Sequence, residues 1–289
     1  MLVLSHTTPG SSKPISEDTA PSQDAGALEY GDLFSQARYS GLAFKDLPGF
    51  TRSVYERDHA LVAPESRVWA GQRGWVNAVT AHIISPRVGA NFVMYMAQLR
   101  ENGVAGPVLP GAERFIMVLQ GGVDVTSSAG ASPIQLGGSQ YAYFPANSTG
   151  SFSSASGSHV LVYERMASVK GNAEFRHGVT DESPLLPTPG EVFLLRKLLP
   201  QTADYDFNIH IMDFEPGQFL NVKEVHYNQH GMLMLEGQGI YRLANSWYPI
   251  QAGDAVWMAP FVIQWYAALG TSRTRYILYK DTTADPLEL

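Results

Sequence analysis

The chain has 289 residues, 45% of them hydrophobic, a formal net charge of −7 and no cysteine. That length supplies one large or two ordinary domains with ample material for a core. The acidic balance argues against nucleic-acid partners, which need a basic face, and the missing cysteines exclude disulfides, thiolate metal sites and a cysteine nucleophile. No apolar run approaches the length that spans a membrane. The opening run Met1-Leu2-Val3-Leu4 is too short for a signal peptide, so the default expectation is a cytoplasmic protein.

Residues 1–26 are rich in Ser, Thr, Pro, Gly, Ala and Asp and read as a disordered tail. A short helix is compatible with 30–42, where Leu33, Phe34 and Ala37 share one side. Leu47-Pro48-Gly49-Phe50 reads as a turn. Beyond it come short apolar runs at 76–84, 91–99, 114–119, 122–126, 140–145 and 159–165, cut by Gly, Pro, Asn and Ser. This texture predicts an all-β sandwich or barrel.

The runs repeat. Leu119 and Leu235, Gly137 and Gly253, Tyr163 and Tyr279, and Met96 and Met212 each stand 116 residues apart. A constant offset across four anchors implies two copies of one β-domain, taken here as 27–177 and 178–289. The Pro/Gly-rich stretch 178–190 joins them, with room for strands of the second copy.

The second copy carries the chemistry. In Glu224-x-His226-x3-His230, an extended chain sends Glu224 and His226 to one side, and His230 follows within reach. One carboxylate and two imidazoles make a plausible divalent-metal site, although the pattern alone also describes a hairpin with ordinary surface His and Glu. Subtracting the repeat offset gives Val108, Pro110 and Arg114 in the first copy, and Ser148 against Gln264. None is a good ligand, so the first copy keeps the scaffold and lacks the site. The same comparison sets Val125 against Tyr241 and Glu164 against Lys280, two polar additions confined to the second copy. Taken without relatives, Lys280 reads as a solvated strand end, Tyr241 as a half-buried strand aromatic, and His210 as a satisfied structural histidine that could instead face a pocket. His59 reads as a loop or domain contact. Trp257, Phe261, Trp265 and Tyr266 flank Gln264 and read as core and pocket wall.

Two domains, each with a Gly-bounded first motif and a Gly…Pro second motif, resemble the bicupin architecture: two tandem cupin barrels with short helices. Cupins usually carry His-x-His-x3–4-Glu and a later His eleven residues after a Gly. Here the carboxylate and imidazole have exchanged ends, and Gln264 stands where His is usual. Together with 47–55, 189–193, 207–210, 219–231 and 257–266, this departure resembles the (S)-ureidoglycine aminohydrolase family. The resemblance runs from about residue 47 to the C-terminus.

The resemblance implies a manganese-dependent hydrolase of purine breakdown that releases ammonia from (S)-2-ureidoglycine and leaves (S)-ureidoglycolate. It implies Glu224, His226, His230 and Gln264 as ligands of Mn²⁺, with Tyr241 and Lys280 in the active site and Glu224 also a candidate proton shuttle. It further implies a homo-oligomer such as an octamer. A mixed N/O ligand set without sulfur suits Mn²⁺, and on ligand type it also admits Fe²⁺, Co²⁺ or Zn²⁺. Two alternatives stand beside this reading. A dioxygenase-type bicupin would share the two imidazoles and one carboxylate, but a fourth ligand at Gln264 would occupy a position oxygen could use. A non-catalytic binding or storage bicupin would have no use for the intact ligand set and Lys280.

Overall fold

The structure, a computed structural model, describes residues 51–168 and 171–282. The predicted tail, the short helix at 30–42 and the turn at 47–50 lie outside them. Every apolar run expected between residues 76 and 165 forms a strand: Val76–Ile84, Val93–Val104, Ala112–Gly121, Val123–Thr126, Gln140–Phe144 and Ser151–Met166. Among the described residues the helices are three-residue 3-10 turns at Pro64–Ser66, Pro86–Val88 and Thr180–Glu182. No helix there is long and apolar enough to cross a membrane.

The strands from Val76–Ile84 to Ser151–Met166 form one antiparallel sheet in which Ala112–Gly121 lies between Gln140–Phe144 and Ser151–Met166. In the second copy, His230–Glu236 lies between Ala255–Met258 and Thr274–Asp281, with Phe207–Phe214 beyond. A further sheet of Ser246–Gln251, Gln238–Leu243 and Gln264–Leu269 faces it. Phe207–Phe214 is buried at every residue, as expected for a strand covered on both faces. Its Ile209 and Ile211 join Met94, Met96, Phe115 and Tyr163 in a core between the copies. Its Met212 and Phe214 join Met232, Tyr241, Tyr266 and Tyr276 in the interior of the second barrel. The all-β bicupin expected from the sequence is the fold observed.

The repeat is visible in the hydrogen bonding. Phe115 lies opposite Tyr163, and Gly231 opposite Tyr279. A bulge separates Val118 from Gln120, and another separates Met234 from Glu236 at the same place in the second copy. Gly121 and Gly237 follow these bulges with φ of 75° each, a left-handed conformation that glycine adopts without steric cost. One anchor does not hold. Met96 faces Leu161, but the residue opposite Ile277 is Ile211, not Met212. A one-residue slip exchanges the faces of a strand, so Met96 points into the core between copies and Met212 into the barrel.

Strand pairing also crosses chain order. Val54–Tyr55 and His59–Val62 add to the second sheet beside Ala255–Met258. Arg176–Val179, which runs into the Pro/Gly-rich junction, pairs with Gln140–Phe144, and Leu185–Leu186 within the junction pairs with Leu194–Lys197. His59 makes its contact across units: its Nε2 lies 2.8 Å from the Tyr248 hydroxyl and its Nδ1 2.7 Å from Asp58.

Candidate metal centre

Three short segments bring the candidate ligands together. Glu224 and Gln264 form an isolated antiparallel bridge, exchanging N–H···O bonds of 2.9 and 3.0 Å. Directly opposed residues put their side chains on the same face. The turn after Pro260 then donates the Phe261 N–H to the His226 carbonyl at 2.8 Å, with Phe261 at φ 63°. His230 opens the strand His230–Glu236 between Met258 and Lys280.

The result is convergent. His226 Nε2 lies 3.1 Å from His230 Nε2, 3.0 Å from the Gln264 side-chain amide and 3.8 Å from Glu224 Oε2. One donor atom each from Glu224, His226 and His230 falls within 4.8 Å of the others. Donors about 2.1 Å from a common centre and at right angles are about 3.0 Å apart, so the imidazole and amide spacings fit one small cation. The Gln264 amide presents its oxygen at the same place after a half-turn. The Tyr279 carbonyl, 3.2 Å from His230 Nδ1, can only accept, so Nδ1 carries the proton and Nε2 keeps its lone pair toward the centre. Burial, then the Lys280 and His226 charges, hold His230 well below the ordinary imidazole range. It is therefore in the neutral form that binds metals.

Lys280 sits opposite His230. Burial lowers its ammonium pKa, and the Glu224 carboxylate opposes that shift. Tyr241 is buried, with its hydroxyl 3.7 Å from Met258 Sδ; burial and the Glu224 charge push its phenol upward. Tyr276, which sequence reasoning passed over, is also buried and feels the Tyr241 and Glu224 charges. The signal for it was present: Tyr276, Leu278 and Lys280 share one face of a strand with a period of two. Trp257 and Tyr266 are core residues, as expected, whereas Phe261 is 65% exposed because its turn carries it outward.

The first copy fills the same place differently. Arg114 and Glu164, at the positions of His230 and Lys280, are opposed in register and joined by a 2.6 Å bond. Arg114 also donates to the Gly106 carbonyl at 2.9 Å, and its guanidinium lies 5.8 Å from the Trp75 and Phe152 rings. An ion pair of a buried arginine and a half-buried glutamate stands where the second copy assembles its donors.

No family model matches the chain. It is 55% identical over 245 residues to a probable (S)-ureidoglycine aminohydrolase from Oryza sativa subsp. japonica, covering 84% of this chain and 79% of that protein. It is 54% identical over 245 residues to the (S)-ureidoglycine aminohydrolase of Arabidopsis thaliana, covering 84% and 82%. The crystal structure of protein Ylba from E. coli superimposes with a TM-score of 0.71 at 28% identity, over 81% of this chain and 96% of that one. Bacillus subtilis oxalate decarboxylase, a bicupin studied for its Mn(II) centres, matches with a TM-score of 0.57 at 12% identity, over 78% of each chain. This last likeness speaks for the fold alone.

Proposed function

The chain belongs to the (S)-ureidoglycine aminohydrolase family, a family of enzymes, and from that membership we propose that it hydrolyses (S)-2-ureidoglycine to (S)-ureidoglycolate and ammonia, a step of purine breakdown, using Mn²⁺. The observation that carries this reading is the convergence of Glu224, His226 and His230 on one point, with Gln264 at hydrogen-bond distance from His226.

In this reading Glu224, His226, His230 and Gln264 hold the ion. When bound, manganese supplies Lewis-acid polarisation and lowers the pKa of a coordinated water. The reaction breaks a C–N bond at the α-carbon, forms a C–O bond there and releases ammonia, so a proton must reach the departing nitrogen. We assign that proton to Glu224, a reading supported by its carboxylate lying beside His226 and within electrostatic reach of Lys280 and Tyr241. Lys280 binds the substrate's carboxylate, and the Tyr241 hydroxyl orients the substrate by a hydrogen bond. The buried aromatics Tyr241, Tyr266 and Tyr276 keep that side of the site dry, which strengthens each polar contact.

The same reading takes the protein as a homo-oligomer acting in the cytoplasm. Exposed Phe219, Val222, Val225 and Phe261 supply an apolar surface of the kind a second copy covers.

The test is ammonia release from (S)-ureidoglycine freshly generated from allantoate, with and without Mn²⁺, for wild type and His226→Ala. Release above the spontaneous rate that needs the metal and vanishes in the variant is the expected result. No release from a folded, Mn²⁺-loaded protein would sink the reading and leave only the fold.

A further inference from the structure

A cavity of about 510 Å³ adjoins the metal centre, and its lining includes Lys197, Thr202, His210, Tyr227, Asn228 and Lys280. The four proposed ligands are not among the lining residues, so Lys280 is the wall shared by cavity and centre. Lys197 lies directly opposite His210 in the sheet. Lys280 lies opposite both Asn208 and His230. Residues 208 and 210 share a strand face, so Lys197, His210, Lys280 and His230 stand on one side of the sheet.

The charge of this wall is only partly met. Lys197 Nζ donates to Gln201 Oε1 at 2.5 Å, and the Glu224 carboxylate acts on Lys280 across the site. Among the described residues no carboxylate lies within ion-pair distance of either ammonium. Asp281 also lines the cavity, but its carboxylate already accepts from Arg165, Tyr279, Asn91 and the Gln229 N–H. His210 is only 7% exposed, and its Nε2 has no hydrogen-bond partner. A buried imidazole nitrogen left without a partner costs free energy, which a turn of the ring toward an acceptor in the cavity would relieve. Ammonium groups only donate, so the occupant must bring acceptors and negative charge. A ureido group brings one carbonyl acceptor and no charge, whereas a carboxylate brings two acceptor oxygens and the negative charge.

We propose that Lys197 and His210, together with Lys280, form a carboxylate subsite that takes the acid end of the substrate and makes an α-carboxylate a requirement for binding. This rests on the reading above and adds two residues, Lys197 and His210, to it. The metal-side groups then address the α-carbon and its nitrogen substituents, while the lysine wall fixes the opposite end.

The test uses two ligands that carry no leaving amine: ureidoacetate and its neutral amide, ureidoacetamide. Binding of each to Mn²⁺-loaded wild type, Lys197→Met, His210→Phe and His210→Gln is measured by calorimetry. Wild type is expected to favour ureidoacetate. Lys197→Met should weaken ureidoacetate roughly ten- to hundredfold, the worth of a hydrogen bond to a charged group, and raise KM for ureidoglycine in parallel. The same variant should leave ureidoacetamide binding within about twofold. His210→Phe should act in the same direction, and His210→Gln, which restores a donor, should recover part of the loss. Equal affinity of wild type for the two ligands, or a folded and metal-loaded Lys197→Met that binds ureidoacetate like wild type, overturns the subsite. A wild type that prefers ureidoacetate yet releases no ammonia from ureidoglycine would leave the subsite standing and remove the proposed reaction instead.

Discussion

Arg165 and Asp281 occupy the same position in the two copies and bind each other, the guanidinium donating to Asp281 Oδ1 at 3.0 Å. Both are buried. Asp281 Oδ1 also accepts from the Tyr279 hydroxyl at 2.6 Å, and Oδ2 accepts from Asn91 at 3.1 Å and from the Gln229 N–H at 3.3 Å. The Gln229 side chain in turn accepts from the Asn91 N–H and the Trp257 indole. The segment between His226 and His230 is thus tied to Asn91 and Arg165 of the first copy.

Deleting Arg165 removes the cation and leaves a buried carboxylate with neutral donors only. Arg165→Met is expected to cost about 3 kcal/mol of stability, the scale for breaking a buried pair from one side. It should also weaken metal binding, because residues 228–229 lose their anchor. Arg165→Lys should recover much of the stability and little of the geometry, since an ammonium lacks the planar fork. Thermal unfolding and metal titration of the two variants check this; a fully stable Arg165→Met with unchanged metal affinity would show the pair to be idle.

Glu113 gives a pH dependence away from the metal centre. Burial, eased by a hydrogen bond from the Tyr143 hydroxyl, raises its carboxyl from 4.5 to about 7. The folded state therefore holds a proton that the unfolded chain has lost. The contribution is fully present below pH 4.5, falls as pH rises from there, and is gone above about 7. Its size is at most about 3 kcal/mol. Glu113→Gln keeps an acceptor for Tyr143 without the charge, so its stability should exceed wild type at pH 8 and lose this slope. Equal pH profiles for the two proteins in denaturant titrations would refute the assignment.

Much of this molecule is legible from its residues. Alternating apolar runs delimit the strands, and the 116-residue offset finds equivalent turns and bulges because those depend on local chain geometry. The period of two is enough to set Glu224 beside His226, while Gln264 needed the family resemblance, since its bridge to Glu224 spans forty residues of chain. What escaped was long-range. Nothing local says that Val54–Tyr55 and His59–Val62 join the second sheet, or that Arg165 meets Asp281. The offset did carry that second clue, as opposite charges at equivalent positions. Met96 and Met212 show the converse, a matched pair of residues on opposite faces.

Glu224 has two roles in the proposed reaction, ligand and proton carrier, and one substitution separates them. Glu224→Gln keeps an oxygen donor where the carboxylate stood and removes the basic group. Metal binding should persist in weakened form, and turnover at saturating Mn²⁺ should fall roughly 10²- to 10⁴-fold, the usual worth of a positioned acid–base group. Full turnover by a Glu224→Gln protein that still holds its metal would assign the proton to another group, with Tyr241 and Lys280 the next candidates.

Gly231 follows the proposed ligand His230, and the space beside it is already taken. A Cβ there would meet the Phe92 ring at 2.6 and 2.7 Å and Tyr163 at 3.4 Å. Phe92 stacks on Tyr279 with ring centroids 4.0 Å apart, and the Tyr163 hydroxyl donates to the Gly231 carbonyl at 3.1 Å. The ring cannot retreat without disturbing Tyr279, whose carbonyl holds His230 Nδ1. Gly231→Ala should therefore cost about 1–3 kcal/mol by overpacking and weaken metal binding at the same time. Phe92→Leu opens the space, so the double variant should recover metal affinity that Gly231→Ala alone has lost. If Gly231→Ala binds metal as wild type does, the strand tolerates the shift and the close packing of the two copies does not reach the centre.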